Sequence, residues 1–180
     1  LVLDFGGQYN LLIARRVREL RVYAEIRPYN KITPAEIRQA GYKGIILTGG
    51  PNSVYADGAP LCDPALLGLG IPVLGICYGA QLMAFLAGGE IREAENGGEY
   101  GKTALHVRDD VLFGGVPAES VCWMSHRDFV QTPPSGFAVT AQTDGCPCAA
   151  FADAKRRLYG VQFHPEVTHT AFGRQMLHNF

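Results

Sequence analysis

The 180-residue sequence has no apolar run near the roughly 18 residues a membrane-crossing helix requires; its longest, such as Gly44-Ile45-Ile46-Leu47 and Ile71-Pro72-Val73-Leu74-Gly75-Ile76, are far shorter. Charge of one sign is also lacking. Sixteen Lys and Arg stand against seventeen Asp and Glu, a net charge of -1, so there is no bulk electrostatic pull toward nucleic acid. Cysteine is sparse and odd in number, at five, too thin for a disulfide scaffold. No Asn-x-Ser/Thr acceptor is present and no stretch reads as a signal peptide. A reducing, cytoplasmic setting is the expectation. No Gly-x-x-x-x-Gly-Lys-Ser/Thr phosphate loop occurs either. Apolar residues make up 47% of the chain, which excludes a disordered polymer and supports a packed core.

The first half alternates strand and helix patterns. Leu1–Phe5 reads as a buried strand closed by Gly6-Gly7, followed by a helical period from Leu11 to Leu20. Val22–Ile26 is a second strand candidate. Thr33-Pro34-Ala35-Glu36 combines an N-cap, a first-turn proline and a capping-box glutamate, and predicts a short helix. Gly44–Thr48 and Ile71–Ile76 are further buried strands, with a short helix opening at Asp63-Pro64 and another over Gly79–Leu86. Between Glu90 and Phe151 helix signals thin out, and Gly, Pro and Thr punctuate short β-like runs. Leu158–Phe163 is a last strand and Thr170–Phe180 a last helix. The pattern predicts an α/β fold: a mostly parallel central sheet flanked by helices, with an additional antiparallel β portion. The chain begins inside a strand-like run and stops inside a helix-like one, so a piece of a longer protein is expected.

Four segments carry polar chemistry at strand ends. In Gly75-Ile76-Cys77-Tyr78-Gly79 a buried strand runs straight into Cys77 and a helix starts behind it. That is the setting of a nucleophile elbow, with a helix N-terminus beside the sulfur that favours thiolate; a buried structural cysteine is the competing reading. In Val161-Gln162-Phe163-His164-Pro165-Glu166, His164 is placed to act as a base, and Glu166, two residues on in an extended segment, to orient it. An incidental ion pair in a surface loop is the alternative. Thr48-Gly49-Gly50-Pro51 brings backbone N–H groups to a strand end, either as an oxyanion hole or as an ordinary glycine-rich turn. Trp123-Met124-Ser125-His126-Arg127-Asp128 offers several ligand contacts, though by itself it reads as a solvated loop.

Taken together, Gly75-Ile76-Cys77-Tyr78-Gly79-Ala80-Gln81, His164-Pro165-Glu166 and Thr48-Gly49-Gly50-Pro51 resemble the class I, triad-type glutamine amidotransferases, whose fold is flavodoxin-like. Within that class, Leu3-Asp4-Phe5-Gly6-Gly7-Gln8-Tyr9, Trp123-Met124-Ser125-His126 and Gly160–Thr170 are similar to the GMP synthetase branch. The resemblance spans all 180 residues and implies a glutaminase domain over 1–180. It implies Cys77 as nucleophile, His164 as base and then acid, and Glu166 as the group that orients it. It implies the backbone N–H groups of Gly50 and Tyr78 as oxyanion hole, and Gln81 with Ser125, His126, Arg127 and Asp128 as substrate contacts. Ammonia would pass to an ATP-pyrophosphatase (synthetase) domain that uses ATP and Mg²⁺ to aminate XMP. Neither that domain, with its Ser-Gly-Gly-x-Asp-Ser loop, nor a dimerisation domain is in this sequence. No cofactor is expected in this domain.

Three other readings stand beside this one. They are a glutaminase subunit serving another synthetase, a non-catalytic module that kept the fold, and a cysteine hydrolase with the same elbow. No metal site is expected: Cys146-Pro147-Cys148 is too short for zinc-type spacing. Cys62 and Cys122 read as core or boundary residues, and His169 as a residue facing the synthetase domain.

Overall fold

The computed structural model describes residues 1–108 and 110–180. Its centre is a nine-stranded sheet built from β1 (Val2–Asp4), β2 (Ile26–Pro28), β3 (Ile45–Leu47), β4 (Val73–Ile76), β6 (Glu99–Val107), β7 (Glu119–His126), β9 (Ala138–Gln142), β10 (Ala150–Asp153) and β11 (Leu158–Val161). Strand order is β2-β1-β3-β4-β11-β10-β9-β6-β7. The first five of these neighbours pair in parallel, and the rest of the sheet is antiparallel. A separate antiparallel ribbon joins β5 (Glu90–Glu93) to β8 (Asp128–Thr132).

Strands buried on both faces need cover on both. Helices α1 (Asn10–Glu19) and α4 (Gly173–Asn179) close one face, where Ile13, Ala14, Met176 and Leu177 pack with Val2, Ile46 and Leu74. Helices α2 (Pro34–Ala40) and α3 (Tyr78–Leu86) close the other, where Ile37, Leu82 and Met83 pack with Leu3, Ile45 and Leu47. Alternate residues of one strand thus feed opposite cores, the period-2 consequence of the pleat.

Most elements fall where the pattern placed them. The capping box of α2 is complete: the Glu36 N–H donates to Thr33 Oγ1 and the Thr33 N–H donates to the Glu36 carboxylate. The strand expected over Val22–Ile26 lies further on, over Ile26–Pro28. After α1 the chain turns through Arg21 at φ 63°, and Val22 and Tyr23 are exposed; residues 22–25 carry the chain back to the sheet. The helix expected after Asp63 is a single 3-10 turn, Pro64–Gly68.

Candidate active site

Four strand ends meet at one rim. Chain leaving β1 (residues 6–10), β3 (residues 49–53), β4 (Cys77) and β11 (His164 and Glu166) borders a cleft of about 480 Å³, completed by residues 125–128 from the β7–β8 corner. Ligands of open α/β sheets gather at this edge because loops from neighbouring parallel strands converge there.

Cys77 sits at φ 52°, ψ -109°, a backbone region that non-glycine residues rarely occupy. The turn is held from both sides. A Cβ on Gly79 would lie 2.2 Å from the Leu47 carbonyl oxygen, and one on Gly75 would lie 2.5 Å from the Gly79 carbonyl oxygen. The flanking glycines are therefore demanded by the close approach of α3 to β3 and β4. The Cys77 N–H is pinned to Val161 O at 2.8 Å. Its sulfur lies 3.7 Å from the Ser125 carbonyl oxygen and 3.7 Å from Gln162 Nε2.

His164 follows β11 and is buried against Tyr9, whose ring meets it edge-on at 5.3 Å. Its Nδ1 lies 2.7 Å from Glu166 Oε1. Thr170 Oγ1 donates to the His164 carbonyl at 2.6 Å, and Arg16 Nε donates to the Glu166 carbonyl at 2.9 Å. Gly49 underlies both side chains: a Cβ there would sit 3.5 Å from the His164 ring and 3.8 Å from Cys77 Cβ. Burial opposes the imidazolium, but the Cys77 thiol and the Glu166 carboxylate outweigh it and raise the His164 pKa to about 10. Its proton affinity suits it to take a proton from sulfur and hold it. Glu166 Oε2 is buried without a hydrogen-bond partner among the described residues.

The two backbone donors lie at the cleft. Tyr78 heads α3, where a first-turn N–H has no intrahelical acceptor. Gly50 follows β3, and a Cβ on it would crowd the Phe5 carbonyl oxygen and the Tyr78 ring. Among the described residues neither N–H donates to a protein acceptor.

The other sequence candidates divide. Gln81 is buried, its Nε2 donating to Asp128 O at 2.6 Å and to Gln162 Oε1 at 3.2 Å. Ser125 offers its carbonyl to the sulfur. Arg127 is exposed and paired with Glu93. The Asp128 carboxylate accepts from Ser53 Oγ and, at 3.0 Å, from Tyr55 OH. His126 is turned inward: Nδ1 lies 3.0 Å from Asp128 O, and Nε2 lies 3.4 Å from Glu99 Oε2. Burial lowers its pKa against the pull of Glu99. His126, Glu99 and Cys146 bring ligand-type atoms within 4.8 Å of one another. Burial pushes the other thiols up, Cys62 to about 11 and Cys122 and Cys148 to about 12, with Cys146 also raised. These four stay protonated near neutral pH. His169 packs against Trp123, the rings tilted by 36° with centroids 4.6 Å apart.

Sequence reasoning missed Tyr9, Ser53, Tyr55, Glu99 and Gln162. One signal was available: Gln162 is a polar residue inside the apolar run Leu158–Phe163, and a buried polar group needs partners.

A family model for class I glutamine amidotransferases matches residues 1–180. The chain belongs to the class I glutamine amidotransferases. The amidotransferase is 55% identical over 181 aligned residues to a protein of Alkaliphilus metalliredigens named GMP synthase [glutamine-hydrolyzing]. It is 56% identical to one of the same name from Clostridium botulinum strain Hall. Both alignments cover all of this chain but 35% of the relative, so the chain spans about a third of the length of the relatives it matches. A crystal structure from Thermoplasma acidophilum, described as that of a putative GMP synthase subunit, superposes with TM-score 0.85 at 34% identity, covering 99% of this chain and 89% of the other. A Thermotoga maritima amidotransferase, at TM-score 0.71 and 21% identity, covers 92% of this chain and 76% of its own, and shares the fold.

Proposed function

We propose that this chain is the glutaminase domain of a GMP synthase. It hydrolyses glutamine to glutamate and ammonia with Cys77, His164 and Glu166. The observation that carries the reading is the strained Cys77 elbow with the buried His164–Glu166 pair at the same rim.

With the thiol proton already held by His164, as its raised pKa requires, Cys77 Sγ bonds as thiolate to the side-chain carbonyl carbon of glutamine. The carbonyl π electrons move to oxygen, where the Gly50 and Tyr78 N–H groups offset the developing charge. The C–N bond then breaks as His164 passes its proton to nitrogen, and ammonia leaves a glutamyl thioester on Cys77. Water adds to the thioester carbon while His164 takes its proton. The C–S bond breaks, the thiol is regenerated and glutamate is released. Glu166 holds the imidazole with one nitrogen toward itself and the other free for sulfur and nitrogen chemistry. Gln81 helps hold the glutamine substrate, and Ser125–Asp128 border the place of its α-amino and carboxylate groups.

The relatives' name and their greater length support a synthetase partner, either within one longer chain or as a second polypeptide. ATP and Mg²⁺ act there, in the amination of XMP. The test is ammonia release from glutamine by this chain, alone and with a GMP synthase synthetase domain supplied with ATP, Mg²⁺ and XMP. Release that rises with the loaded partner and vanishes in Cys77→Ala supports the reading. Release that survives Cys77→Ala removes the triad from the mechanism.

A further inference from the structure

One buried hydrogen-bond chain behind the nucleophile has a direction set by a single atom. The Asp128 carbonyl oxygen can only accept. The Gln81 side chain 2.6 Å from it must therefore present its NH₂ group there. The second hydrogen of that NH₂ group goes to Gln162 Oε1 at 3.2 Å. With its oxygen so engaged, Gln162 turns its own NH₂ group the other way, where the Cys77 sulfur lies 3.7 Å from Nε2. Ordinarily an amide's two ends are interchangeable within a network; this one is polarised from its anchor to the sulfur. The anchor is itself held: His126 Nδ1 donates to the same carbonyl oxygen at 3.0 Å, which leaves Nε2 toward Glu99. Gln162 is 1% and Gln81 3% exposed, so water does not compete for either amide.

We infer that Gln162 is a catalytic residue: its side-chain N–H donates to the Cys77 sulfur and stabilises the thiolate that attacks the substrate. This rests on the reading of Cys77 as the glutaminase nucleophile. The sulfur has a second polar neighbour of opposite character. The Ser125 carbonyl oxygen, also at 3.7 Å, accepts from the neutral thiol and offers nothing to a thiolate. Gln162 supplies the donor the charged form needs as the proton moves toward His164. Gln81, which does not touch the sulfur, is a positioning residue: it fixes which end of the Gln162 amide faces Cys77.

Gln162→Met keeps the length and burial and removes the donor. The measurements are the pH dependence of Cys77 alkylation by iodoacetamide, and kcat and KM for glutamine. The alkylation profile moves to higher pH, and kcat falls roughly tenfold to a hundredfold, the range of one hydrogen bond to a charged group, with KM for glutamine within about twofold. Gln162→Glu, which places an acceptor or a charge against sulfur, is slower still. A folded Gln162→Met with an unshifted alkylation profile and kcat within about twofold of wild type overturns the assignment. Wild-type chain gives a check free of any folding defect: the Gln162 side-chain ¹⁵N resonance shifts as the thiol titrates, and stays flat in Cys77→Ala. A resonance that ignores the thiol in the wild type also overturns it. The two readings fail separately. Glutaminase activity surviving Cys77→Ala sinks the nucleophile, whereas an inactive Cys77→Ala beside a wild-type-like Gln162→Met sinks Gln162 alone.

Discussion

Cys77 occupies strained backbone because two glycines and a buried strand leave it no other course. Its neighbours therefore tolerate little. In Gly79→Ala the new methyl would meet the Leu47 carbonyl oxygen at 2.2 Å. Backbone cannot yield as a flexible side chain does, so we expect a loss of about 3 kcal/mol or more, read by urea unfolding. An unfolding midpoint equal to wild type would show that α3 slides freely against β3. His164 gives a pH signature. Its pKa rises from an ordinary 6.5 to about 10 on folding, burial being outweighed by Cys77 and Glu166. The stability it contributes is thus complete below about pH 6.5 and is lost as the pH climbs through about 10. Across that window the thermal midpoint of the wild type should converge on that of His164→Asn. A gap that widens toward pH 10 would mean that His164 is buried neutral. At this scale the meeting of Cys77, His164 and Glu166 at one rim was legible because each lies at or just beyond a strand end inside a short motif. The Gln81–Gln162–Asp128 network was not, because its members are far apart in sequence and only the β7–β8 corner brings them together. His126 shows the same limit. Its segment by itself read as a solvated loop, and only the resemblance made it a substrate contact; the structure places it at the cleft with its ring toward Glu99 and the Asp128 carbonyl.

At the scale of elements, local chemistry decides starts and stops while tertiary pairing decides where strands register. The α2 boundaries follow from Thr33, Pro34 and Glu36 at its start and Gly41 at φ 71° beyond its end. Thr33→Ala removes the acceptor for the Glu36 N–H and should cost about 1 kcal/mol. The helix is remote from the cleft, so glutaminase kcat should stay unchanged at 25 °C. A fall in kcat would reveal coupling between α2 and the rim. The misplaced strand has the opposite cause. Val22 and Tyr23 have strand propensity, but β1 pairs Val2 with Ile26 and Asp4 with Pro28. Pairing with β1, rather than propensity, selects the residues. The antiparallel portion was legible only as a class, since nothing local says that β6 and β7 extend the main sheet while β5 and β8 form a ribbon of their own.

For the whole molecule, the proposed reacting groups come from the carboxyl ends of β3, β4 and β11, and the other wall of the cleft comes from β7 and β8. Parallel half and antiparallel half thus each supply one side. The relatives are about three times as long as this chain, and the proposed use of ammonia falls to a synthetase partner. The central claim is that glutamine passes through a covalent intermediate on Cys77. The direct measurement is acid quenching of the chain during turnover of radiolabelled glutamine, followed by peptide mapping. The expected result is base-labile glutamyl label on the peptide carrying Cys77, absent in Cys77→Ala. Ammonia release with no label on that peptide, or label on another cysteine, would contradict it.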